Sequence, residues 1–175
     1  SLDQAPVPVK KLFLIRHAKA SHELAFIRDI ERPLTERGYQ DAALVSNQLR
    51  KENPSAGLFI SSPAIRAFST ALVFAAAFQI KENAIRLDSR LYNSSVHDYL
   101  EVISEIPATY ASAFLFGHNN VITETALRLL RPHSTEALRT CGVVQIASEA
   151  GSWDSVSTSA CTCELQIYPA LFKVG

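Results

Sequence analysis

Short apolar runs alternate with amphipathic stretches along this chain, and that alternation restricts the fold more than any other property of the sequence. Leu12-Phe13-Leu14-Ile15 runs into the polar pair Arg16-His17, and Gly57-Leu58-Phe59-Ile60-Ser61 runs into Ser62-Pro63. Ile85-Arg86-Leu87 is a weaker run, and residues 112–116 form another, followed by Gly117-His118. Runs this short suit strands buried on both faces. The stretches between them carry the helical period. Ala42, Val45 and Leu49 share one face of a predicted helix with Thr35 at its N-cap, ending near Lys51. Ser62-Pro63 opens a second, with Ile65, Ser69, Leu72, Val73 and Ala76 expected on its buried face. Val96, Leu100 and Ile103 mark a third within residues 95–106, and Ile122, Ala126 and Leu129 mark a fourth. Residues 142–147 and 164–168 read as closing strands. The pattern predicts an α/β fold: a three-layer α/β/α sandwich around a mostly parallel central sheet.

A length of 175 residues suits one domain spanning 1–175. Residues 1–10 read as an N-terminal extension or processing remnant, and the Ser- and Thr-rich stretch 151–163 reads as a loop. Seventeen basic residues balance seventeen acidic ones, which counts against a nucleic-acid or polybasic membrane partner. No apolar run approaches a membrane span, and nothing near residue 1 resembles a secretion signal, so the cytoplasm is the expected compartment. Cys141, Cys161 and Cys163 are too few and too unevenly spaced for a disulfide framework. The neutral total hides one imbalance: 11 arginines against 6 lysines. Guanidinium grips phosphate and carboxylate with a planar fork.

In a sheet of this kind, ligands bind beyond the carboxyl ends of the parallel strands. Three predicted strand ends deliver Arg16-His17, Ser61-Ser62 with Arg66 one turn into its helix, and Gly117-His118. Two histidines and two arginines at one rim suit phosphoryl chemistry. A neutral imidazole nitrogen is a competent nucleophile at pH 7, and attack on phosphorus would give a phosphohistidine intermediate. Arg16 and Arg66 could hold the equatorial oxygens, and His118 could donate from the opposite side. The scheme needs no metal and no cofactor.

Leu14-Ile15-Arg16-His17-Ala18 resembles the Arg-His-Gly signature of the histidine phosphatase superfamily, the phosphoglycerate mutase-like group. Arg32-Pro33-Leu34-Thr35-Glu36-Arg37-Gly38 resembles its second motif, Ser61-Ser62-Pro63 through Arg66-Ala67 and Thr70-Ala71 its third, and Gly117-His118-Asn119 its late histidine motif. Arg16-His17-Ala18-Lys19 and Leu91-Tyr92 resemble the SixA-like phosphohistidine phosphatases within it. The resemblance implies a phosphoglycerate mutase-like fold and a phosphatase in which His17 carries the phosphoryl group. It implies that Arg16, Arg32 and Arg66 bind phosphate, that His118 completes the catalytic pocket, and that Asp29 supports Arg32. The implied partner is a phosphorylated substrate, with a phosphohistidine-bearing protein foremost; it leaves the oligomeric state open.

Three departures matter. Ala18 stands at the signature glycine, Asn120 stands where a proline is usual, and no glutamate follows the third strand. Asp88, Asp98 and Glu101 are the nearest acids, and none matches the general-acid position. An alkoxide leaving group needs a proton, whereas imidazole departs with less help, so the missing acid favours a phosphoramidate. Residues 86–112 have space for one helix and no lid, which favours an open site. A small-molecule monoesterase and a non-catalytic phosphate-binding module remain the alternatives. His22, His97 and His133 read as solvated, and Trp153 as packing. Cys161 and Cys163, alternate on their strand, both read as buried.

Overall fold

The computed structural model describes residues 9–52 and 55–174, and the expected extension at residues 1–8 lies outside them. Six strands form one sheet in the order β3-β2-β4-β1-β5-β6. They are β1 (Lys10–Arg16), β2 (Leu58–Ser61), β3 (Arg86–Leu87), β4 (Ser112–Gly117), β5 (Val143–Ser148) and β6 (Cys161–Ile167). β1 pairs with β4, and β2 with β4 and β3, all in parallel. β5 runs antiparallel to both β1 and β6. The α/β sandwich with a mostly parallel sheet is therefore the observed fold. Lys10 belongs to β1 and not to an extension, because its Nζ donates to the Ala108 and Tyr110 carbonyls at 3.2 Å each.

Residue alternation on the central strands sorts the core into two layers. Phe13, Ile15, Phe59, Phe114 and Phe116 face one side, packing on α1 (Glu36–Glu52) and α2 (Ile65–Phe78). Leu12, Leu14, Leu58, Ile60 and Leu115 face the other, packing on α3 (Val96–Ser104) and α4 (Val121–Leu130). The first layer is an aromatic cluster. Phe114 stacks on Phe13 with ring centroids 4.2 Å apart and meets Phe59 at 4.7 Å and Phe78 at 5.2 Å.

Thr35 caps α1, its Oγ1 accepting from the Gly38 amide at 3.0 Å. Gly38 is needed there because a Cβ would run into the Lys19 carbonyl, so the start of α1 closes against the loop after β1. α2 differs from expectation in two respects. It begins at Ile65, because Ser62 is engaged elsewhere and Ala64 takes the N-cap position. Its buried face includes Ser69, as expected, with Ala67, Thr70, Ala71, Phe74, Ala75 and Phe78, while Leu72 and Val73 are half-buried and Ile65 is 43% exposed. The two large phenylalanines set the rotation, since they bury far more area than Leu72 or Val73 could.

Residues 151–163 are not a loop throughout. Residues Trp153–Thr158 form a 3₁₀ turn in which Trp153 is buried and donates from its indole to the Tyr110 carbonyl at 2.8 Å. Residues 161–163 begin β6. Cys161 is buried but Cys163 is exposed: β6 is an edge strand, and Cys163 stands at the register shift opposite Gln145 and Ile146, where the strand leaves regular pairing. Among the described residues, no helix is long and apolar enough to cross a membrane.

Phe114 touches three other rings, so Phe114→Ala should cost about 3–5 kcal/mol. Urea denaturation should show the loss as a lower midpoint; a loss below about 1 kcal/mol would mean the ring cluster is not what holds this layer.

Candidate active site

The carboxyl ends of β1, β4 and β2 lie level, with Arg16 opposite Gly117 and Ser61 opposite Phe116. The His17 amide donates to the Gly117 carbonyl at 3.0 Å. That pairing brings the two histidine rings together, with centroids 5.3 Å apart and planes tilted by 55°. Gly117 is bare because a Cβ would meet the Tyr99 hydroxyl. That hydroxyl accepts from the His118 amide at 3.1 Å and donates to the Leu91 carbonyl at 3.0 Å, and burial pushes its pKa up to about 12.

His17 Nδ1 lies 2.7 Å from the Ala18 carbonyl. A carbonyl can only accept, so Nδ1 carries the proton and Nε2 keeps its lone pair. The Ala18 amide in turn donates to Thr70 Oγ1 at 3.0 Å, which ties the loop to α2. Burial, and then the Arg66, Arg16 and Arg32 charges, push the His17 pKa down to about 4, against the raising effect of the Ala18 carbonyl. The ring is neutral at pH 7. His118 is pushed down to about 3 by burial first and by His17 and Arg66 after it. Its Nε2 meets Ser62 Oγ at 2.8 Å.

Arg66 is buried although charged, and it donates from one guanidinium nitrogen to the Asp29 carbonyl at 2.7 Å and from the other to Asp29 Oδ2 at 3.0 Å. Arg32 donates from Nε to Asp29 Oδ1 at 3.0 Å and from a terminal nitrogen to the Ser21 carbonyl at 3.0 Å. The Tyr92 hydroxyl also donates to Asp29 Oδ2, at 2.7 Å. These partners, Tyr92 foremost, hold the Asp29 carboxyl well below the usual carboxylate range. Arg16 donates to the Leu138 carbonyl at 3.0 Å, and Asn119 Nδ2 donates to the same oxygen.

Among the described residues, four buried side-chain polar atoms have no partner: Arg16 Nε, Arg66 Nε, His118 Nδ1 and Ser94 Oγ. Buried polar groups are nearly always satisfied. Three of these four belong to residues singled out from the sequence, and they surround one histidine with a free lone pair. A cleft of about 440 Å³ opens beside them, lined among others by Arg16, His17, His22 and Arg32. Arg16 Nε and Arg66 Nε are donors, and His118 Nδ1 is one when Ser62 Oγ donates to the ring's Nε2; a phosphoryl group would satisfy such donors.

The family model of the histidine phosphatase superfamily (branch 1) matches residues 12–117, more than half of the chain. The chain belongs to the histidine phosphatase superfamily. It is a phosphatase by family. An uncharacterized protein of Mycobacterium leprae is 30% identical over 118 residues, 66% of this chain and 70% of that protein. Two solved structures are similar in fold. A protein from Nakamurella multipartitia, provisionally named phosphohistidine phosphatase SixA, superposes with a TM-score of 0.80 at 21% identity, covering 94% of this chain and 99% of its own. The protein histidine phosphatase SixA complexed with tungstate superposes with a TM-score of 0.76 at 20% identity, covering 93% and 99%.

All six residues expected at the site of this histidine phosphatase, Arg16, His17, Asp29, Arg32, Arg66 and His118, are joined in one contact network or line its cleft. The acids considered for proton donation do not join them. Asp88 pairs with Arg90 at 2.8 Å, Asp98 caps α3 through Ser95, and Glu101 lies 3.6 Å from His97. His22, read as a solvated loop residue, lines the cleft and has Nδ1 3.2 Å from Arg32. Tyr92 and Ser62 were read from the sequence only as a family marker and a helix cap. Their contacts join residues 63 and 56 positions apart, and no local periodicity reports such contacts.

Both histidines titrate lower in the fold than their unfolded value near 6.5. Their contribution to stability is therefore fully present above pH 6.5 and is lost as pH falls toward 4 and 3. Urea midpoints should drop between pH 6.5 and 5, before most carboxylates titrate. In NMR titrations both rings should stay neutral at pH 5; a His17 ring half-protonated near 6.5 would contradict the assignment.

Proposed function

We propose that this histidine phosphatase hydrolyses phosphohistidine carried by a protein, through a phosphoryl group held transiently on His17 Nε2. The observation that carries the reading is a set of unpaired buried nitrogens, the guanidinium donors Arg16 Nε and Arg66 Nε and the ring nitrogen His118 Nδ1, on residues whose charge or ring acts on a neutral His17; Nδ1 is a donor when Ser62 Oγ donates to His118 Nε2. In this reading those donors bind the phosphoryl oxygens, and Arg32 adds charge beside them. Asp29 holds the Arg32 and Arg66 forks in position.

The first step forms a bond from His17 Nε2 to phosphorus and breaks the substrate's P–N bond, whose electron pair leaves with the substrate imidazole. When the substrate ring carries a proton on its distal nitrogen, it leaves as neutral imidazole, a weak base that needs no further acid. In the second step water attacks phosphorus, the P–Nε2 bond breaks and inorganic phosphate takes the water's proton. The Ala18 carbonyl keeps the proton on Nδ1 throughout, so His17 also departs as neutral imidazole. Neither step calls on a carboxylic acid. Among the described residues, Asp29 is held ionised at Arg32 and Arg66 and cannot donate, and the cleft's other carboxyl, Asp41, is paired with Lys173. The resemblance to two structures named for phosphohistidine chemistry supports the same substrate class.

Incubation with a labelled phosphoramidate should leave acid-labile, alkali-stable label on His17. His17→Ala should lose at least about 10³-fold in activity, and Arg66→Gln about 10²-fold in kcat. A substrate panel decides the class: phosphoimidazole and phosphohistidine should exceed sugar phosphates in kcat/KM. Preference for a monoester would overturn the phosphohistidine reading, and phosphate binding without turnover of any substrate would indicate a non-catalytic module.

A further inference from the structure

We propose that the mouth of the cleft docks an acidic protein segment around the phosphohistidine, gripped by Lys19 and Arg37 and by the apolar loop tip Leu24 and Phe26. This inference rests on the substrate class proposed above and adds the surface that would select among such substrates.

The charge argument starts from the cleft lining. Its ionised groups are Arg16, Lys19, Arg32 and Arg37 against one carboxylate, Asp41. Asp41 is itself engaged, since Lys173 Nζ lies 2.7 Å from Oδ1. Arg37 approaches its other oxygen only to 3.9 Å, and the Arg37 side chain is 64% exposed. Arg16 and Arg32 belong to the phosphoryl pocket. Lys19 has no ion-pair partner among the described residues and is exposed. Glu23 and Glu36 are exposed nearby, but neither lines the cleft. Two cations with unused donors therefore border the pocket.

Their spacing is fixed by the backbone. The Thr35 amide donates to the Lys19 carbonyl at 2.9 Å, and Gly38 lets α1 close on that same carbonyl. Lys19 and the first turn of α1, which carries Arg37, form one rigid corner. Binding there would cost little ordering of backbone.

The apolar half lies in the loop between His22 and Asp29, both of which reach Arg32. Leu24 is 54% exposed, and Phe26 is fully exposed with φ of 67°. A phenylalanine in the left-handed region is unfavourable, and a fully exposed aromatic ring gains nothing in the free protein. An apolar side chain of a docked segment would cover it. A small phosphorylated metabolite has little beyond its phosphoryl group to offer such surfaces, whereas a polypeptide brings the acidic and apolar side chains that flank its phosphohistidine.

The test uses phosphoimidazole and two phosphohistidine peptides of equal length, one flanked by Asp, Glu and Leu, the other by Gln and Ser. Wild-type protein should favour the acidic peptide by about tenfold in kcat/KM at low salt, and added salt should shrink the preference. The Lys19→Ala, Arg37→Ala double variant should remove most of that preference, and Phe26→Ser part of it. Turnover of phosphoimidazole should stay within about twofold of wild type in both variants. No peptide preference in wild type, or equal losses on peptide and phosphoimidazole, would overturn the docking surface while leaving the phosphohistidine reading intact. Wild-type protein inert toward all three substrates would overturn both.

Discussion

Parallel pairing of β1 with β4 sets Arg16 against Gly117, and the next amide, that of His17, donates to the Gly117 carbonyl. The chain cannot shift this register by one residue without turning Phe13 and Ile15 out of the aromatic layer and Leu12 and Leu14 out of the other. The core therefore fixes which residues stand at the strand ends. β2 joins the same edge through the Ser62 amide, which donates to the Phe116 carbonyl at 2.9 Å. Ser62 Oγ then reaches His118, and Arg66 follows one helical turn later. A hydrophobic requirement of the interior thus sets the spacing of polar groups at the rim.

Gathering cations at such a rim carries an electrostatic cost, and Asp29 is how the fold offsets it. Its two oxygens and its carbonyl accept from Arg32, Arg66 and Tyr92. The guanidinium groups are held without filling every donor, since Arg16 Nε and Arg66 Nε remain unpaired. The same positive surroundings, with burial, keep His17 neutral. The charge that would attract a phosphoryl dianion therefore also keeps its nucleophile deprotonated. A bound dianion would raise both histidine pKa values, and the depression of His17 to about 4 leaves room for that rise while the ring stays neutral for attack.

The central strands, the helix that Thr35 caps and the strand-end residues Arg16, His17 and His118 were legible because each leaves a local signature. Strand alternation, a cap residue and a polar break after an apolar run are all read within a few positions. Arg66 was legible from the helix start after β2 as well as from its motif, whereas Arg32 and Asp29 were legible through motif resemblance alone. The rest depended on partners distant in sequence. α2 turned by its phenylalanines could not be told from the helical period alone, since Leu72 and Val73 fit that period equally well. The 3₁₀ turn at Trp153 hides within a Ser- and Thr-rich stretch, because one buried indole outweighs the polar composition around it. Tyr92 showed only as part of a family marker and His22 only by its nearness to the His17 loop, since their roles exist only where Asp29 and Arg32 meet them.

Among the described residues, no carboxyl at the cleft is free of a cationic partner, and that shapes the energetics of the proposed reaction. With a monoester, transfer to His17 would have to expel an alkoxide, and the cost falls on the first step. With phosphohistidine, the bond broken and the bond formed are both P–N bonds to imidazole, so that step is close to balanced in energy. Net reaction then comes from the second step, where water captures the phosphoryl group and imidazole is again the leaving group. Acid catalysis has little to add to either step, and the fixed proton on His17 Nδ1 has much to add to the second. A site that needs no acid on the leaving-group side can leave that side open, which is the side a protein-borne imidazole would have to enter.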